Sequence, residues 1–176
     1  MKLINWKDDF LKRVVIIGAG ASGMLAAKVA SDRGYKVIVL EKQKRCGQKL
    51  LITGKGRCNI TNNCEIEELI ENVPTNGKFL YSAFYTFTND QVIDMFNDLG
   101  VETKTERGKR VFPVSDKAVD VVRALEKQMR SNKNVEVLLN SKVDKIEAQD
   151  GKVKKVILSD KREIECDSVI VATGGV

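Results

Sequence analysis

Residues 13–35, RVVIIGAGASGMLAAKVASDRGY, decide the fold. Their first part is a β-branched run that ends in glycines, as expected of a strand buried on both faces of a parallel sheet. The alanine-rich part that follows ends at Gly34, which is typical of a helix with a glycine at its C-terminus. The next run, KVIVLEK at 36–42, predicts a second buried strand. Strand, helix and strand in such close succession predict a right-handed βαβ unit.

Three glycines lie at the predicted turn between the first strand and the helix. Gly18, Gly20 and Gly23 form the pattern G-x-G-x-x-G. The first allows a tight turn, the second lets a phosphate approach the backbone, and the third lets the helix pack closely on the strand. Glu41 ends the second strand, where a carboxylate accepts hydrogen bonds from ribose hydroxyls. The helix N-terminus complements a pyrophosphate, so the pattern predicts a dinucleotide-binding turn.

Helical patterns continue in the middle of the chain. The strings EIEELIE and KFLYSAFYTF predict two helices. Thr88 and Gln91 predict a capping box for another helix, which ends at Gly100. Ser115 is expected to cap a further helix, whose buried stripe would be Ala118, Val122, Leu125 and Met129.

The last part of the chain consists of short extended segments: VEVLL, KVDKIEA, KVKKVILS and EIECDSVIVA. Turns such as Asp150-Gly151 join them, and their close spacing leaves no room for crossover helices. We therefore expect an antiparallel meander before SVIVATGG returns as a buried strand. The whole pattern predicts an α/β fold, a Rossmann-like domain with a parallel sheet and an added antiparallel β-meander.

Composition limits the chemistry that this chain can perform. Its 176 residues, of which 43% are hydrophobic, suffice for one sizeable core. Because the chain has no histidine, it cannot supply a histidine general base, a Ser-His-Asp triad or a histidine-bound metal. Its four cysteines, Cys46, Cys58, Cys64 and Cys166, include no C-x-x-C pair. We therefore expect no metal site, and reduced thiols in a cytoplasmic protein.

The apolar runs are too short for a membrane span. The first ten residues contain Asp8 and Asp9, which argues against a secretory signal. These features predict a soluble protein without a membrane partner. The formal net charge is +6. Six basic residues fall between positions 42 and 57 with no acidic residue among them: Lys42, Lys44, Arg45, Lys49, Lys55 and Arg57.

That basic segment suits an anionic ligand such as a pyrophosphate, with nucleic acid as the rival interpretation. Interleaved arginines and aromatics are missing, so we expect no nucleic-acid partner. Residues 43–64 are rich in glycine and predict a long loop, which in compact domains is usually functional or disordered. A nicotinamide dinucleotide does not need a basic loop directly after Glu41. The loop therefore favours a longer ligand, which continues to a flavin ring. The predicted meander and the terminal ATGG also favour FAD.

Four strings carry a resemblance to a known family: VVIIGAGASGMLAA, CGQKLLITGKGRCNITN, GKRVFPVSDKAVDVV and VIVATGG. From about residue 13 to residue 175 the chain resembles the bacterial flavoproteins of the aminoacetone oxidase or BaiN-type family. The resemblance implies a glutathione-reductase-like FAD domain and an FAD-dependent oxidoreductase. It implies FAD contacts from Gly18, Gly20, Ser22, Gly23, Glu41, Lys42, Lys49, Gly54, Arg57, Cys58, Asn59, Val143, Ala172, Thr173 and Gly174.

The resemblance also predicts the domain organisation. Residues 1–12 would be an N-terminal extension, and residues 13–176 would be the N-terminal portion of the FAD-binding domain. Family members are longer and continue after ATGG with a substrate domain and a return segment. We therefore expect this chain to be part of a longer enzyme or a truncated product.

The predicted reaction is hydride transfer between a small organic substrate or NAD(P)H and the flavin, with oxygen or an enone as second partner. No side chain is assigned as a catalytic acid or base. The sequence does not determine the substrate, the choice between NADH and NADPH, or the oligomeric state.

Two alternatives to this function stay open. One is a thiol-disulfide reductase using Cys58 and Cys64, where Arg57 would favour a thiolate, although five residues separate the cysteines instead of the four of flavin disulfide reductases. The other is a non-catalytic dinucleotide-binding stub. The basic residues Arg107, Lys109 and Arg110 fit either an anion site or a solvated charged turn.

Overall fold

The computed structural model describes residues 11–175. The chain divides into two compact units, one formed by Met1–Lys49 with Leu125–Val176 and the other by Leu50–Ala124. The predicted N-terminal extension lies outside the described residues except for Leu11 and Lys12. The division into an extension and an FAD-binding domain stays a prediction.

Ten strands and five α-helices are found among residues 11–175. The strands are β1 (Arg13–Ile17), β2 (Lys36–Leu40), β3 (Thr61–Asn62), β4 (Thr103–Glu106), β5 (Arg110–Pro113), β6 (Val135–Leu138), β7 (Val143–Gln149), β8 (Lys152–Leu158), β9 (Glu163–Glu165) and β10 (Ser168–Val171). The helices are α1 (Ala21–Asp32), α2 (Ile66–Glu71), α3 (Tyr81–Thr86), α4 (Asn89–Asp98) and α5 (Ala118–Arg130).

The first unit is built on a parallel sheet with the strand order β10-β1-β2-β6. Strand β1, helix α1 and strand β2 form the predicted βαβ unit. Because side chains alternate along a strand, the two faces of the sheet bury different residues. Val15 and Ile38 belong to a buried cluster with Val156 and Leu158 of the meander. The prediction of an α/β fold with a parallel sheet and an antiparallel meander is confirmed.

The meander is smaller than the sequence predicts. In the first unit, the antiparallel sheet consists of β7, β8 and β9, whereas the segment VEVLL forms β6 and pairs in parallel with β2. The prediction that VEVLL belongs to the meander is therefore wrong. The helix that precedes VEVLL is α5, so a crossover to a parallel strand is available.

The second unit contains a three-stranded antiparallel sheet with the order β3-β5-β4. The hairpin of β4 and β5 is absent from the sequence prediction. Thr88 and Gln91 form the predicted capping box at the start of α4, and Gly100 follows the helix with a positive φ of 79°. The predicted loop 43–64 is interrupted by a 3₁₀ segment at Leu50–Gly56 and by β3.

Helix α5 buries the stripe that the sequence predicts. Ala118, Val122, Leu125 and Met129 are all buried, because they recur at helical spacing on one face. No helix within residues 11–175 is long and apolar enough to cross a membrane.

Candidate functional site

The glycine turn lies at the end of β1, in the middle of the parallel sheet. Gly18 has a φ of 105°, a region that favours glycine. Its N–H donates to the Leu40 carbonyl at 2.8 Å, and the Ala172 N–H donates to the Ile17 carbonyl at 2.8 Å. A Cβ at Gly18 would lie 2.5 Å from the Ala172 carbonyl oxygen. The turn after β1 and the turn after β10 therefore touch each other, and Ala172 belongs to the same edge of the sheet as Gly18.

Gly20 and Gly23 have different surroundings. A Cβ at Gly23 would lie only 1.9 Å from the Gly18 carbonyl oxygen, so only a glycine lets α1 approach the turn. A Cβ at Gly20 would meet nothing within 4 Å. Gly20 is the N-cap residue of α1 and provides no side-chain cap, so the first N–H groups of the helix are available to an anion. This arrangement fits the predicted approach of a pyrophosphate.

Glu41 follows β2 directly and is 8% exposed. Its Oε2 accepts a hydrogen bond from the Ala19 N–H at 2.8 Å, and its Oε1 accepts one from the Gln43 N–H at 2.9 Å. Each carboxylate oxygen still has a second lone pair for a further donor. The carboxylate is therefore held beside the glycine turn, where the sequence predicts the contact with a ribose.

The beginning of the meander lies close to the same strand end. The Ser141 N–H donates to the Glu41 carbonyl at 2.8 Å, and the Asn140 N–H donates to the Gln43 carbonyl at 3.0 Å. Val143 follows as the first residue of β7 and packs partly buried against the core cluster. The structure thus places the Val143 strand next to the segment that carries Glu41. Lys42 and Ser22 are exposed at this edge.

A basic side chain reaches the turn after β10. The Lys49 Nζ donates to the Gly175 carbonyl at 2.5 Å, and Gly174 has a φ of 75°. The Gly47 N–H donates to the Ala19 carbonyl at 2.8 Å, which fixes the segment before Lys49 beside the glycine turn. Within the first unit, the predicted contact residues therefore lie around one edge of the sheet. Thr173 belongs to this turn and is exposed.

The remaining predicted contact residues lie in the second unit, in the loop after Lys49. Gly54, Lys55, Gly56 and Cys58 all have positive φ values, between 54° and 88°. A Cβ at Gly54 would lie 3.0 Å from both the Asn59 nitrogen and the Phe112 ring. The Cys58 N–H donates to the Thr53 carbonyl at 3.1 Å and closes the loop. We call residues Thr53–Cys58 the left-handed loop.

Arg57 of this loop belongs to a cluster of four charged groups. Its Nη2 lies 2.5 Å from Glu106 Oε1, and its Nε donates to Asp116 Oδ1 at 2.7 Å. Lys104 also pairs with Asp116, at 2.8 Å. The guanidinium lies 4.2 Å from the centre of the Phe112 ring. Arg57 lowers the pKa of Glu106, and Lys104 together with Arg57 lowers the pKa of Asp116.

The cysteines show no activated thiol among the described residues. Burial raises the pKa of Cys58, against a smaller opposing effect of Thr53, and burial is also the largest cause of the raised pKa of Cys64. All four cysteines are free thiols. Because the Arg57 guanidinium is engaged by two carboxylates, the expected stabilisation of a Cys58 thiolate is not seen. These observations disfavour the thiol-disulfide reductase alternative.

Three basic residues precede VFPVS. Arg107 and Lys109 lie in the turn between β4 and β5, and Arg110 is the first residue of β5. Lys109 pairs with Glu68 at 2.7 Å, and the Arg110 Nε donates to the Arg107 carbonyl at 3.1 Å. Arg110 also lies 5.8 Å from the centre of the Phe112 ring. Of the two interpretations left open, this arrangement favours a charged turn.

Sequence reasoning missed four residues around Arg57: the charged groups Lys104, Glu106 and Asp116, and the aromatic ring of Phe112. The two carboxylates lie 49 and 59 positions from Arg57. No periodicity or motif connects residues at such separations, so only the fold reveals them.

Comparison with known proteins gives the family. Residues 12–176 match the family model described as HI0933-like protein Rossmann domain. The chain is 34% identical over 167 residues to a 3-dehydro-bile acid delta(4,6)-reductase of Clostridium scindens, covering 94% of this chain and 39% of the relative. It is 30% identical over 168 residues to a ribosomal RNA dihydrouridine synthase of Haemophilus influenzae, covering 92% of this chain and 40% of the relative. The chain thus spans about two fifths of the length of these curated relatives.

Solved structures show the same fold. A flavocytochrome c3 fumarate reductase in its open conformation matches with a TM-score of 0.72 at 21% identity, over 96% of this chain and 34% of that one. The FrdA chain of E. coli quinol fumarate reductase matches with a TM-score of 0.70 at 14% identity, over 99% of this chain and 33% of that one. The chain belongs to the HI0933-like Rossmann domain family, the group of FAD-dependent oxidoreductases that its sequence resembles.

Proposed function

We propose that this chain is the FAD-binding part of an oxidoreductase that reduces a carbon–carbon double bond conjugated to a carbonyl group. The observation that carries the FAD-binding part of the proposal is the contrast between three glycines. Gly18 and Gly23 are closed in by backbone atoms, whereas Gly20 faces open space at the start of α1. Such an arrangement leaves room where a pyrophosphate would meet the helix N-terminus.

The residues of this chain would bind and orient the cofactor. The backbone around Gly20 and Ser22 would hold the pyrophosphate, and Glu41 would accept hydrogen bonds from the adenosine ribose. Lys49 would add a positive charge at the turn after β10. When bound, FAD supplies the hydride acceptor and donor, and the protein sets its position and electrostatic environment.

The substrate class in the proposal comes from the relatives. A delta(4,6)-reductase and a dihydrouridine synthase share one chemical theme, since each name implies two hydrogens added across a double bond in conjugation with a carbonyl. We favour a small organic enone as substrate and NAD(P)H as the source of electrons, in a cytoplasmic bacterial protein. The 34% identity to the bile-acid reductase supports this choice.

Uridine in ribosomal RNA is the second candidate substrate. Two ribosomal RNA dihydrouridine synthases, at 30% and 32% identity, support it. The absence of interleaved arginines and aromatics from the basic segment 42–57 counts against it.

One experiment separates the two substrates. A longer protein that contains this chain as its FAD-binding part is loaded with FAD and incubated without oxygen with NADH or NADPH and either a steroid enone or unmodified ribosomal RNA. We expect loss of the enone absorbance and no dihydrouridine in the RNA, with the same protein lacking FAD as the control. Dihydrouridine formation would favour the second candidate. An FAD-loaded protein that reduces neither substrate would contradict the proposed reaction and favour the non-catalytic alternative.

A further inference from the structure

We propose that the buried Ser141 is a positioning residue for ribose recognition, which fixes the main chain of Glu41 and so keeps the Glu41 carboxylate beside the glycine turn. The inference rests on the proposed function for the identity of the ligand. It concerns residues of the first unit alone, and Ser141 is not among the contacts that the family resemblance implies.

The connection between β6 and β7 holds the main chain of Glu41 from both sides. The Glu41 N–H donates to the Leu138 carbonyl at 2.9 Å, and the Glu41 carbonyl accepts from the Ser141 N–H at 2.8 Å. The carboxylate of the same residue accepts from the N–H groups of Ala19 and Gln43. Because the main-chain hydrogen bonds both come from the connection, a shift of the connection would also move the carboxylate.

The side chain of Ser141 stabilises that connection. Ser141 is 3% exposed, so its hydroxyl needs partners within the protein. The hydroxyl donates to the Leu139 carbonyl at 3.1 Å and accepts from Arg162 Nη2 at 3.3 Å. The Arg162 Nε also donates to Asp160 Oδ2 at 2.7 Å, which orients the guanidinium. The Ser141 hydroxyl therefore ties the connection to the turn between β8 and β9.

The backbone of the connection explains why it needs this support. Asn140 has a φ of 52°, a left-handed conformation that costs free energy even in asparagine. Its N–H donates to the Gln43 carbonyl at 3.0 Å, so Asn140 contacts the same segment that carries Glu41. Without the Ser141 hydroxyl, the Leu139 carbonyl would lose its hydrogen-bond donor, and the connection would open more often.

The consequence for a ligand falls on one of its contacts. A ribose hydroxyl donates well to a carboxylate oxygen only when that oxygen lies at the right distance and angle. Loss of the Ser141 hydroxyl would displace the Glu41 carboxylate without changing its charge. It would leave the N–H groups at the start of α1 unaltered. The ribose contact should therefore weaken, and the pyrophosphate contact should not.

Nucleotide titration tests the inference with two probes that differ by one hydroxyl group. The probes are ADP, which is the part of FAD that would reach Glu41, and 2′-deoxy-ADP. We expect the unaltered chain to bind ADP about tenfold more tightly, because the 2′-hydroxyl donates to a charged acceptor. Ser141→Ala should weaken ADP binding about tenfold and leave 2′-deoxy-ADP binding nearly unchanged, so that the preference disappears.

Hydrogen exchange reports the position of the carboxylate without any ligand. The Ala19 N–H donates to Glu41 Oε2, so its exchange should become about tenfold faster in Ser141→Ala. The Met24 N–H in α1 donates to the Gly20 carbonyl at 2.9 Å. Its exchange should not change, because that hydrogen bond involves no residue of the Ser141 network.

Two further variants complete the design. Arg162→Met removes one partner of the Ser141 hydroxyl and keeps the main chain, so it should lower the preference for ADP by about threefold. Ser159→Ala is the matched control, because it removes a serine hydroxyl from an exposed position of the neighbouring turn. In this control, the preference for ADP and the exchange of the Ala19 amide should match those of the unaltered chain.

An unchanged preference for ADP in a folded Ser141→Ala variant would overturn the inference, and so would unchanged exchange of the Ala19 amide. Equal weakening of both nucleotides would also overturn it, because Ser141 would then serve the stability of the fold alone. If Ser141→Ala does not fold, an unchanged preference in Arg162→Met overturns the inference.

Failure of the unaltered chain to bind ADP would instead contradict the proposed function, and the inference with it. An unaltered chain that binds both nucleotides equally would contradict the ribose contact proposed for Glu41.

Discussion

Gly23→Ala is expected to destabilise the fold by about 3 kcal/mol and to abolish measurable FAD binding. The added Cβ would lie 1.9 Å from the Gly18 carbonyl oxygen and 3.0 Å from its carbonyl carbon. Both atoms belong to the backbone, so no side-chain rotation can relieve the overlap. Helix α1 would have to move away from β1, and the glycine turn would lose its shape. Thermal unfolding by circular dichroism and titration with FAD measure the two effects.

Gly20→Ala is the matched control for this prediction. Its Cβ would meet no atom within 4 Å, and the φ of Gly20, −79°, suits alanine. We therefore expect stability to stay within about 0.5 kcal/mol of the unaltered chain. FAD binding should weaken about tenfold or more, because the methyl group would stand where the pyrophosphate approaches. An unfolded Gly20→Ala variant, or a stable Gly23→Ala variant, would contradict the roles given to these glycines.

Glu41→Ala is expected to lower stability by about 2 kcal/mol, because it leaves two backbone N–H groups without acceptors. The carboxylate accepts hydrogen bonds from Ala19, which is fully buried, and from Gln43. In a domain of this size such a loss corresponds to a melting temperature lower by about 4–8 °C. FAD affinity should also fall, because the proposed ribose contact is lost.

Glu41→Gln separates the two effects of this residue. The side-chain amide keeps one oxygen that can accept from Ala19 or Gln43, so about half of the lost stability should return. A Glu41→Ala variant with the same melting temperature as the unaltered chain would contradict the structural role of the carboxylate. An unchanged FAD affinity in a folded Glu41→Ala variant would contradict its role in binding.

The βαβ unit could be predicted from sequence because its signals are local. The β-branched run at 13–17, the glycine spacing and the alanine-rich helix all lie within one short stretch. The capping box of Thr88 and Gln91 is local in the same way, and the structure contains it. Strand pairing is not local: VEVLL reads as an extended segment, but nothing within it tells whether β2 or β7 is its neighbour.

The candidate site shows the same limit. The sequence predicts that Glu41 lies at the end of a strand beside the glycine turn, and the structure places it there. The hydrogen bond from Ala19, 22 positions earlier, depends on how β1 and β2 pair in register. The partners of Arg57 depend on the hairpin of β4 and β5, which the sequence pattern did not reveal. Local patterns thus locate the turn, and tertiary contacts decide which side chains remain available to a ligand.

Titration of the purified chain with FAD, followed by visible absorption and then gel filtration, tests the central claim most directly. We predict that the flavin band near about 450 nm shifts on binding and that flavin elutes together with the folded chain. A folded chain that leaves the spectrum of free FAD unchanged and elutes without flavin would contradict the claim that the glycine turn, Glu41 and Lys49 form an FAD site.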